Sequence, residues 1–454
     1  MTSMNYLNKL LSSLLGKELD AKVKAYFISG AYKSILLQGA IALLTFLTTL
    51  FIARSVGDKG FGVYTIVFNW ISIISVGATL GLDDLALKQF PVYKEKKAIG
   101  QAKGLLYWTN GVGAIMGIMS ALCFLLVVYQ LDVNYKEYYW IAVWVIPLFS
   151  LMHINQATMR ALGFIGLGQL AEKFVQPFTF LLCLVGVYFL GSSTITDGDA
   201  IGARTLSFVV TVVVALYLIW KHTGKIRQTK EAIYESKMWW KSCKYFAITS
   251  LLYILNTRLD IIFLDWYEVQ EAEVAYYNAA LKLSDMALIP FAVLYTVTAP
   301  MFSQLYTNKK TEELQEFFVK TTRIACLVVS SILLVLILGG ELFLGLFGDS
   351  FKAGYPILLI MCLIKFIHVF VGPVNYLLMM IDLEKEAMWC LVASVGLTII
   401  LHVILIPWYG IVGASWATLG GLLCFEILVS WLAYSKGGIV PTILGSFFSR
   451  KHNS

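Results

Sequence analysis

The chain alternates long apolar runs with short polar joints. Runs of about 20 apolar residues, the helical length that crosses roughly 30 Å of hydrocarbon, fall near 32–53, 62–82, 104–129, 138–158, 170–190, 199–220, 245–265, 276–299, 323–346, 355–379, 387–407 and 411–434. They recur along the whole chain, so the pattern predicts an all-α fold: a polytopic membrane bundle of about 12 transmembrane helices. The joints are too short to hold a soluble domain with separate chemistry. Ahead of the first run, Leu7, Leu10, Leu11, Leu14 and Leu15 fall at helical spacing among lysines. Residues 1–30 therefore read as an interfacial amphipathic segment. Lys9, Lys17 and Glu18 interrupt it and no small-residue cleavage site follows, so it is expected to stay on the mature protein.

The pattern also repeats. FGVYTIVFNWISIISVGATLGL, from Phe61, agrees in outline with VAYYNAALKLSDMALIPFAVLY, from Val274, and DAIGARTLSFVV, from Asp199, with YGIVGASWATLG, from Tyr409. The expected layout is two six-helix lobes: an N-lobe over 31–220 with spans one to six, a cytoplasmic basic linker over 221–244, a C-lobe over 245–434 with spans seven to twelve, and a cytoplasmic tail over 435–454. Six is even, so both halves start on the same side of the membrane, and such parallel repeats enclose a central cleft.

Composition sharpens this picture. Of 454 residues 59% are hydrophobic and 14% charged, and mean hydropathy is +0.76, against roughly 25% charged in soluble domains. Twenty-seven Lys and Arg fall in one set of joints and tails, against Arg54, Lys59, Lys136 and Lys352 in the other. The positive-inside rule then places both termini in the cytoplasm. The same asymmetry accounts for the net charge of +7: these loops lie beside anionic headgroups, so nucleic-acid binding is excluded. The densest basic stretch, KHTGKIRQTKEAIYESKMWWK at 221–241, reads as a membrane-surface segment. The seven cysteines stand singly, so neither a disulfide framework nor a zinc site is expected. His153, His368 and His402 fall in spans as hydrogen-bonded bundle residues or members of a proton relay.

Charges inside the spans carry the candidate chemistry, because each is expensive there. Arg258 and Asp260 interrupt the apolar run NTRLDIIFLDW. Arg258 precedes Trp266 by eight residues and Lys282 follows Val274 by eight, which puts both about 10 Å deep on neighbouring antiparallel helices. Asp260 and Asp285 fall at comparable depth. Residues two apart point to nearly opposite sides of a helix, whereas Lys282 and Asp285, three apart, share a face. Lys365, ten residues into its span, is too deep to snorkel easily and reads as a lone cation. Arg54 and Arg204 are expected to reach the outer interface. Glu426 is an acid within a span, and Asp83 and Asp84 close span two. Pro147, Pro177, Pro290, Pro300 and Pro373 are positioned to kink helices. Cations in a cleft suit an anionic substrate, and a neighbouring acid can exchange a proton or sodium.

Two passages carry a family resemblance. FIARSVGDKGFGVYTIVFNWISIISVGATLGLDDLALKQFPVY, residues 51–93, resembles the opening spans of the bacterial polysaccharide biosynthesis flippases, with Ala-Arg and Gly closing one span and Phe-Gly-x-Tyr opening the next. RLDIIFLDWYEVQEAEVAYYNAALKLSDMALIPFAVLYTVTAPMFSQLY, residues 258–306, resembles the matching second-half region. This is the polysaccharide transporter branch of the multidrug, oligosaccharidyl-lipid and polysaccharide exporter superfamily. The resemblance implies a flippase that carries undecaprenyl diphosphate-linked oligosaccharide, an O-antigen, capsule or exopolysaccharide unit, from the inner to the outer leaflet of the bacterial cytoplasmic membrane. It implies cavity cations, here Arg258, Lys282 and Lys365, with Asp260, Asp285 and Glu426 coupling or balancing charge. The partners implied are the lipid-linked oligosaccharide, membrane lipids, a proton or sodium as coupling ion, and other polysaccharide assembly proteins. No catalytic group, metal or cofactor is expected. The rival readings are a cation-coupled multidrug exporter of the same superfamily, whose cavity should be dominated by acids, and a membrane polymerase or glycosyltransferase, which needs larger loops carrying catalytic carboxylates.

Overall fold

The computed structural model describes residues 21–131, 134–190, 195–308, 310–381 and 383–443. Residues 1–20 of the expected amphipathic segment and 444–454 of the expected tail lie outside the described residues. The α-helices are α1 (Ala21–Thr79), α2 (Leu82–Glu95), α3 (Ile99–Gln130), α4 (Lys136–Ala142), α5 (Val145–Ala161), α6 (Ile165–Leu170), α7 (Gln176–Leu190), α8 (Asp197–His222), α9 (Gly224–Arg227), α10 (Ser236–Trp266), α11 (Glu271–Met286), α12 (Ile289–Thr307), α13 (Thr311–Gly345), α14 (Tyr355–Val371), α15 (Val374–Met380) and α16 (Glu384–Gly437). No strand occurs among the described residues. Nine helical stretches among them, from Gln38–Thr79 to Glu384–Gly437, are long and apolar enough to cross a membrane. The chain is a multi-pass membrane helical bundle.

Helix is forced here by the solvent: in hydrocarbon every backbone N–H and C=O must find an internal partner. Hydroxyl side chains follow the same rule. Thr48, Ser75, Thr109, Thr211, Thr321 and Thr398 each donate to the carbonyl four residues back, at 2.6 to 2.9 Å. A Ser or Thr in a span is thereby satisfied without a neighbour.

The longest helices are broken where the sequence dictates. Within α1, Gly57 has φ 75° and ψ −177°, and within α16, Gly410 has φ 52° and ψ −132°. Side chains with a Cβ avoid both conformations, so each of these long helices is two helices meeting at a glycine. Pro290 has no N–H and its ring crowds the carbonyl four residues earlier. Accordingly α11 ends at Met286, and Ala287 and Leu288 form a turn, donating to the carbonyls of Ser284 and Asp285 at 3.1 and 3.0 Å. Between α6 and α7, Ala171–Val175 forms a π turn, in which the Gln176 amide reaches the Ala171 carbonyl five residues back.

The chain divides into two compact units, one spanning Leu44–Ala275, the other taking Tyr276 onward together with the chain up to Leu43. In the first, α3 and α5 approach closely through small residues. A Cβ at Gly117 would lie 2.6 Å from Pro147 Cα, and one at Gly113 2.3 Å from Ile154 Cδ1. Val67, Ile71, Ala121 and Ile146 are buried in one core cluster; Leu85, Phe90, Leu105 and Trp239 belong to another. The stretch read as a basic linker docks against this unit. The Ile233 amide donates to the Gly100 carbonyl at 3.0 Å, and a Cβ at Gly104 would meet the Ile233 carbonyl oxygen at 2.0 Å. Beside it, Trp239 Nε1 donates to the Tyr93 hydroxyl, which donates to Glu235 Oε2, at 2.9 and 2.6 Å. Burial and that carboxylate push the Tyr93 phenol up to about 12. In the second unit, Phe302, Leu314, Phe318, Leu377, Leu378 and Val429 form the core.

Candidate functional site

The second unit gathers four ionisable side chains around α14. This helix is apolar apart from Lys365 and His368, which stand three residues apart and so share a face. Lys365 Nζ pairs with Asp285 Oδ1 at 2.7 Å, and His368 Nδ1 meets Glu426 Oε1, also at 2.7 Å. Glu426 is buried on α16, with its side chain 4% exposed, whereas Asp285, at the end of α11 where Pro290 forces the break, is 45% exposed. An ionised carboxylate only accepts, so with Glu426 charged the imidazole Nδ1–H is the donor. Aromatic rings enclose the histidine side: Phe291 lies 5.0 Å from His368 and 4.2 Å edge-on to Tyr295, which stacks on Tyr376 at 6.3 Å. Lys282 is half-buried on α11, one turn before Asp285.

Arg258 and Asp260 belong to the other unit, on α10. Asp260 is 7% exposed and its Oδ1 accepts from the Ile261 amide at 2.9 Å. The Arg258 carbonyl accepts from Asn69 Nδ2 at 3.2 Å, and seven residues on, Asp265 Oδ2 accepts from Trp70 Nε1 at 2.7 Å. The span-seven and span-eight pairs, Arg258 with Asp260 and Lys282 with Asp285, thus fall on either side of the division at Ala275 and Tyr276. Arg204 stacks its guanidinium on two rings, 5.1 Å from Phe180 and 5.4 Å from Phe208.

Six residues were singled out in the sequence, and the structure joins two of them directly. Lys365 is not the lone cation expected, because it has Asp285 as its partner. Asp285 comes from eighty residues earlier, a separation that carries no periodic signal. His368, read in the sequence only as a bundle residue or a member of a proton relay, stands beside them. Its signal was its place one turn beyond Lys365 on an otherwise apolar helix. Among the described residues no group of three or more His, Cys, Asp and Glu could hold a metal ion, and the seven cysteines are free thiols.

Comparison with known proteins agrees with this architecture. Residues 28–306 match the family described as polysaccharide biosynthesis protein. The probable low-salt glycan biosynthesis flippase of Haloferax volcanii is 23% identical over 383 residues, covering 83% of this chain and 76% of that one. Among solved structures, an inward-facing multidrug resistance transporter of the MATE family superposes with a TM-score of 0.71 at 14% identity, covering 87% of this chain and 97% of the other. A Pyrococcus furiosus transporter of the same superfamily, described as having a binding pocket of reversed polarity, superposes with a TM-score of 0.62 at 15% identity, covering 92% and 93%. These structures share the fold, and the family match spans more than half of the chain: the protein belongs to the polysaccharide biosynthesis protein family.

Proposed function

We propose that this protein is a flippase and not an enzyme, moving undecaprenyl diphosphate-linked oligosaccharide from the inner to the outer leaflet of a bacterial cytoplasmic membrane by alternating access. The observation that carries the reading is the Lys365–Asp285 and His368–Glu426 layer on α14 in a chain of this family. At low dielectric a diphosphate gains far more from Lys or Arg than it does in water. Within the second unit, Lys365 held by Asp285 and Lys282, one turn before Asp285 on α11, are the cations offered to it; Arg258 is the candidate cation of the first unit. Asp260 and Asp285 balance charge. The glycan occupies the polar cleft and the prenyl tail stays in bilayer.

The coupling ion in this reading is a proton taken by the His368–Glu426 pair. Histidine changes charge nearest neutral pH, and the groups around this pair are Lys365, one turn back along α14, its partner Asp285 on α11, and the Tyr295 ring beyond Phe291. Twelve crossings follow if the nine long stretches are counted with the breaks at Gly57 and Gly410 and with α11–α12 as one further span. Both termini then face the cytoplasm, as the Lys and Arg asymmetry requires. The glycan flippase among the relatives favours this reading over multidrug export.

The test is mass spectrometry of the lipid fraction from a strain lacking this protein. Undecaprenyl diphosphate carrying a completed repeat unit should accumulate while surface polymer is lost. Truncated sugar-lipids would assign the step to a glycosyltransferase, and an unchanged profile would overturn the flippase reading in favour of small-molecule export.

A further inference from the structure

Away from the α14 layer, the first unit carries a groove of about 490 Å³ between α3, α5 and α8, closed at one end by α9. Leu106, Leu151 and Leu216 give it apolar walls, and Tyr107, Tyr217 and Trp220 line it while remaining 46%, 55% and 61% exposed. Large aromatic rings left half outside the bundle at a span's end are what a bilayer interface selects. The end of the groove is basic. Arg227 lies over the Trp220 ring at 5.1 Å, and its Nη2 donates to the Trp220 carbonyl at 2.6 Å, leaving Nε buried with no hydrogen-bond partner. Beside the lining, Lys103 lies 6.0 Å from the centre of the Tyr107 ring, with Nζ donating to the carbonyl of Thr229, two residues beyond Arg227, at 2.6 Å.

Both cations are held by carbonyl oxygens and aromatic faces, and no acid among the described residues forms an ion pair with either. Their charge is fixed in place and left for an anion. The floor also asks for a partner. Asn155 donates to Asn110 Oδ1 and to the Leu151 carbonyl, at 2.9 and 2.7 Å, while its own Oδ1 is buried without a donor.

We propose that this groove is a binding site for one anionic glycerophospholipid of the surrounding leaflet. Its phosphate sits on Arg227 and Lys103, the glycerol region lies between Tyr107, Tyr217 and Trp220, and one acyl chain runs along Leu106, Leu151 and Leu216. A water drawn in beneath the ester groups supplies the donor that Asn155 Oδ1 lacks. Charge complementarity selects the occupant: the walls take any acyl chain, but two cations unneutralised by acids favour a headgroup with net negative charge. The site is built within one unit and includes none of Arg258, Lys282, Lys365 or Glu426, so it stands independently of the substrate assigned above.

Native mass spectrometry of the purified full-length protein tests this, with dioleoyl phosphatidylglycerol and dioleoyl phosphatidylcholine as probes. One phosphatidylglycerol should be retained per protein, at least about fivefold more tightly than phosphatidylcholine. Arg227→Gln, at the exposed rim, and Leu151→Trp, which fills the groove, should each reduce that retention by about fivefold, while Lys320→Gln on an exposed face of α13 leaves it unchanged. Equal retention of the two lipids, or retention indifferent to both groove variants, would overturn the assignment. So would displacement of phosphatidylglycerol by added undecaprenyl diphosphate, which would give the groove to the transported lipid instead.

Discussion

The two units treat their acids differently. In the first, acids are met largely by neutral donors: Asp265 by Trp70, Glu172 by Gln156 with Lys173 beside it, Asp84 by Ser250, Glu271 by Tyr135 and Glu235 by Tyr93. In the second, the acids of the α14 layer are met by bases, Asp285 by Lys365 and Glu426 by His368. A neutral donor holds a carboxylate in one state and fixes geometry. A base that shares or exchanges protons gives a layer whose net charge can change with its occupant. The first arrangement braces a bundle; the second suits one that must accept and release an anion.

The comparison can be broken most severely at Glu426. Glu426→Ala leaves His368, a third exposed, without its acceptor, with an expected loss of about 1.5–3 kcal/mol and of transport, read as surface glycan normalised to protein in the membrane. Glu426→Gln keeps the shape and separates the two effects: near-normal abundance with transport no longer dependent on external pH. A pH profile matching wild type would remove the proton from the proposal. Next come the helix breaks, where Gly57→Val or Gly410→Val forces a side chain into a glycine conformation and should cost about 1–3 kcal/mol, seen as a lower thermal midpoint in detergent. On the neutral side, Trp70→Phe removes the donor to Asp265 and should cost about 1 kcal/mol while leaving the pH profile of transport unchanged. A shifted profile would erase the contrast between the units.

The smallest effect lies at the rim of the first unit. The Tyr135 hydroxyl donates to Glu271 Oε1, and that bond, with the residue's own backbone amide and the Lys59 charge, holds the Glu271 carboxyl below its usual range. A carboxyl lowered by folding stabilises the fold above its unfolded value and loses that contribution as pH falls through its folded value. Tyr135→Phe should therefore narrow the gap in thermal midpoint between neutral and acidic buffer. Wild-type behaviour in that variant would assign the effect to the backbone instead.

Much of the architecture was legible because hydrocarbon imposes a length and a polarity on every crossing. The span edges near 53 and 62, and near 407 and 411, bracket Gly57 and Gly410, and Pro290 marks the break after Asp285. Pairing was not legible. Asp285 finds Lys365 and Glu426 finds His368 through tertiary packing, which has no period in the sequence. Nor was the packing of Arg204 legible: it stacks on Phe180 and Phe208, which precede and follow it by 24 and 4 residues. The linker's docking did leave a trace: Gly100 and Gly104, four apart, form a small-residue face of the kind that admits close backbone approach, and Ile233 lies against it.

The π turn at Ala171–Val175 has a consequence in evolutionary rather than mechanical terms. A turn that closes five residues back holds one residue more than its α-helical equivalent, so a relative lacking that residue would keep an unbroken helix from Ile165 to Leu190. The helix beyond the gap would rotate by about 100°, and the glutamine-to-glutamate contact between Gln156 and Glu172 would be lost or remade. A one-residue gap at this point in an aligned lineage would thus mark where the contact was acquired, dating a piece of the transporter's interior from an insertion on the page.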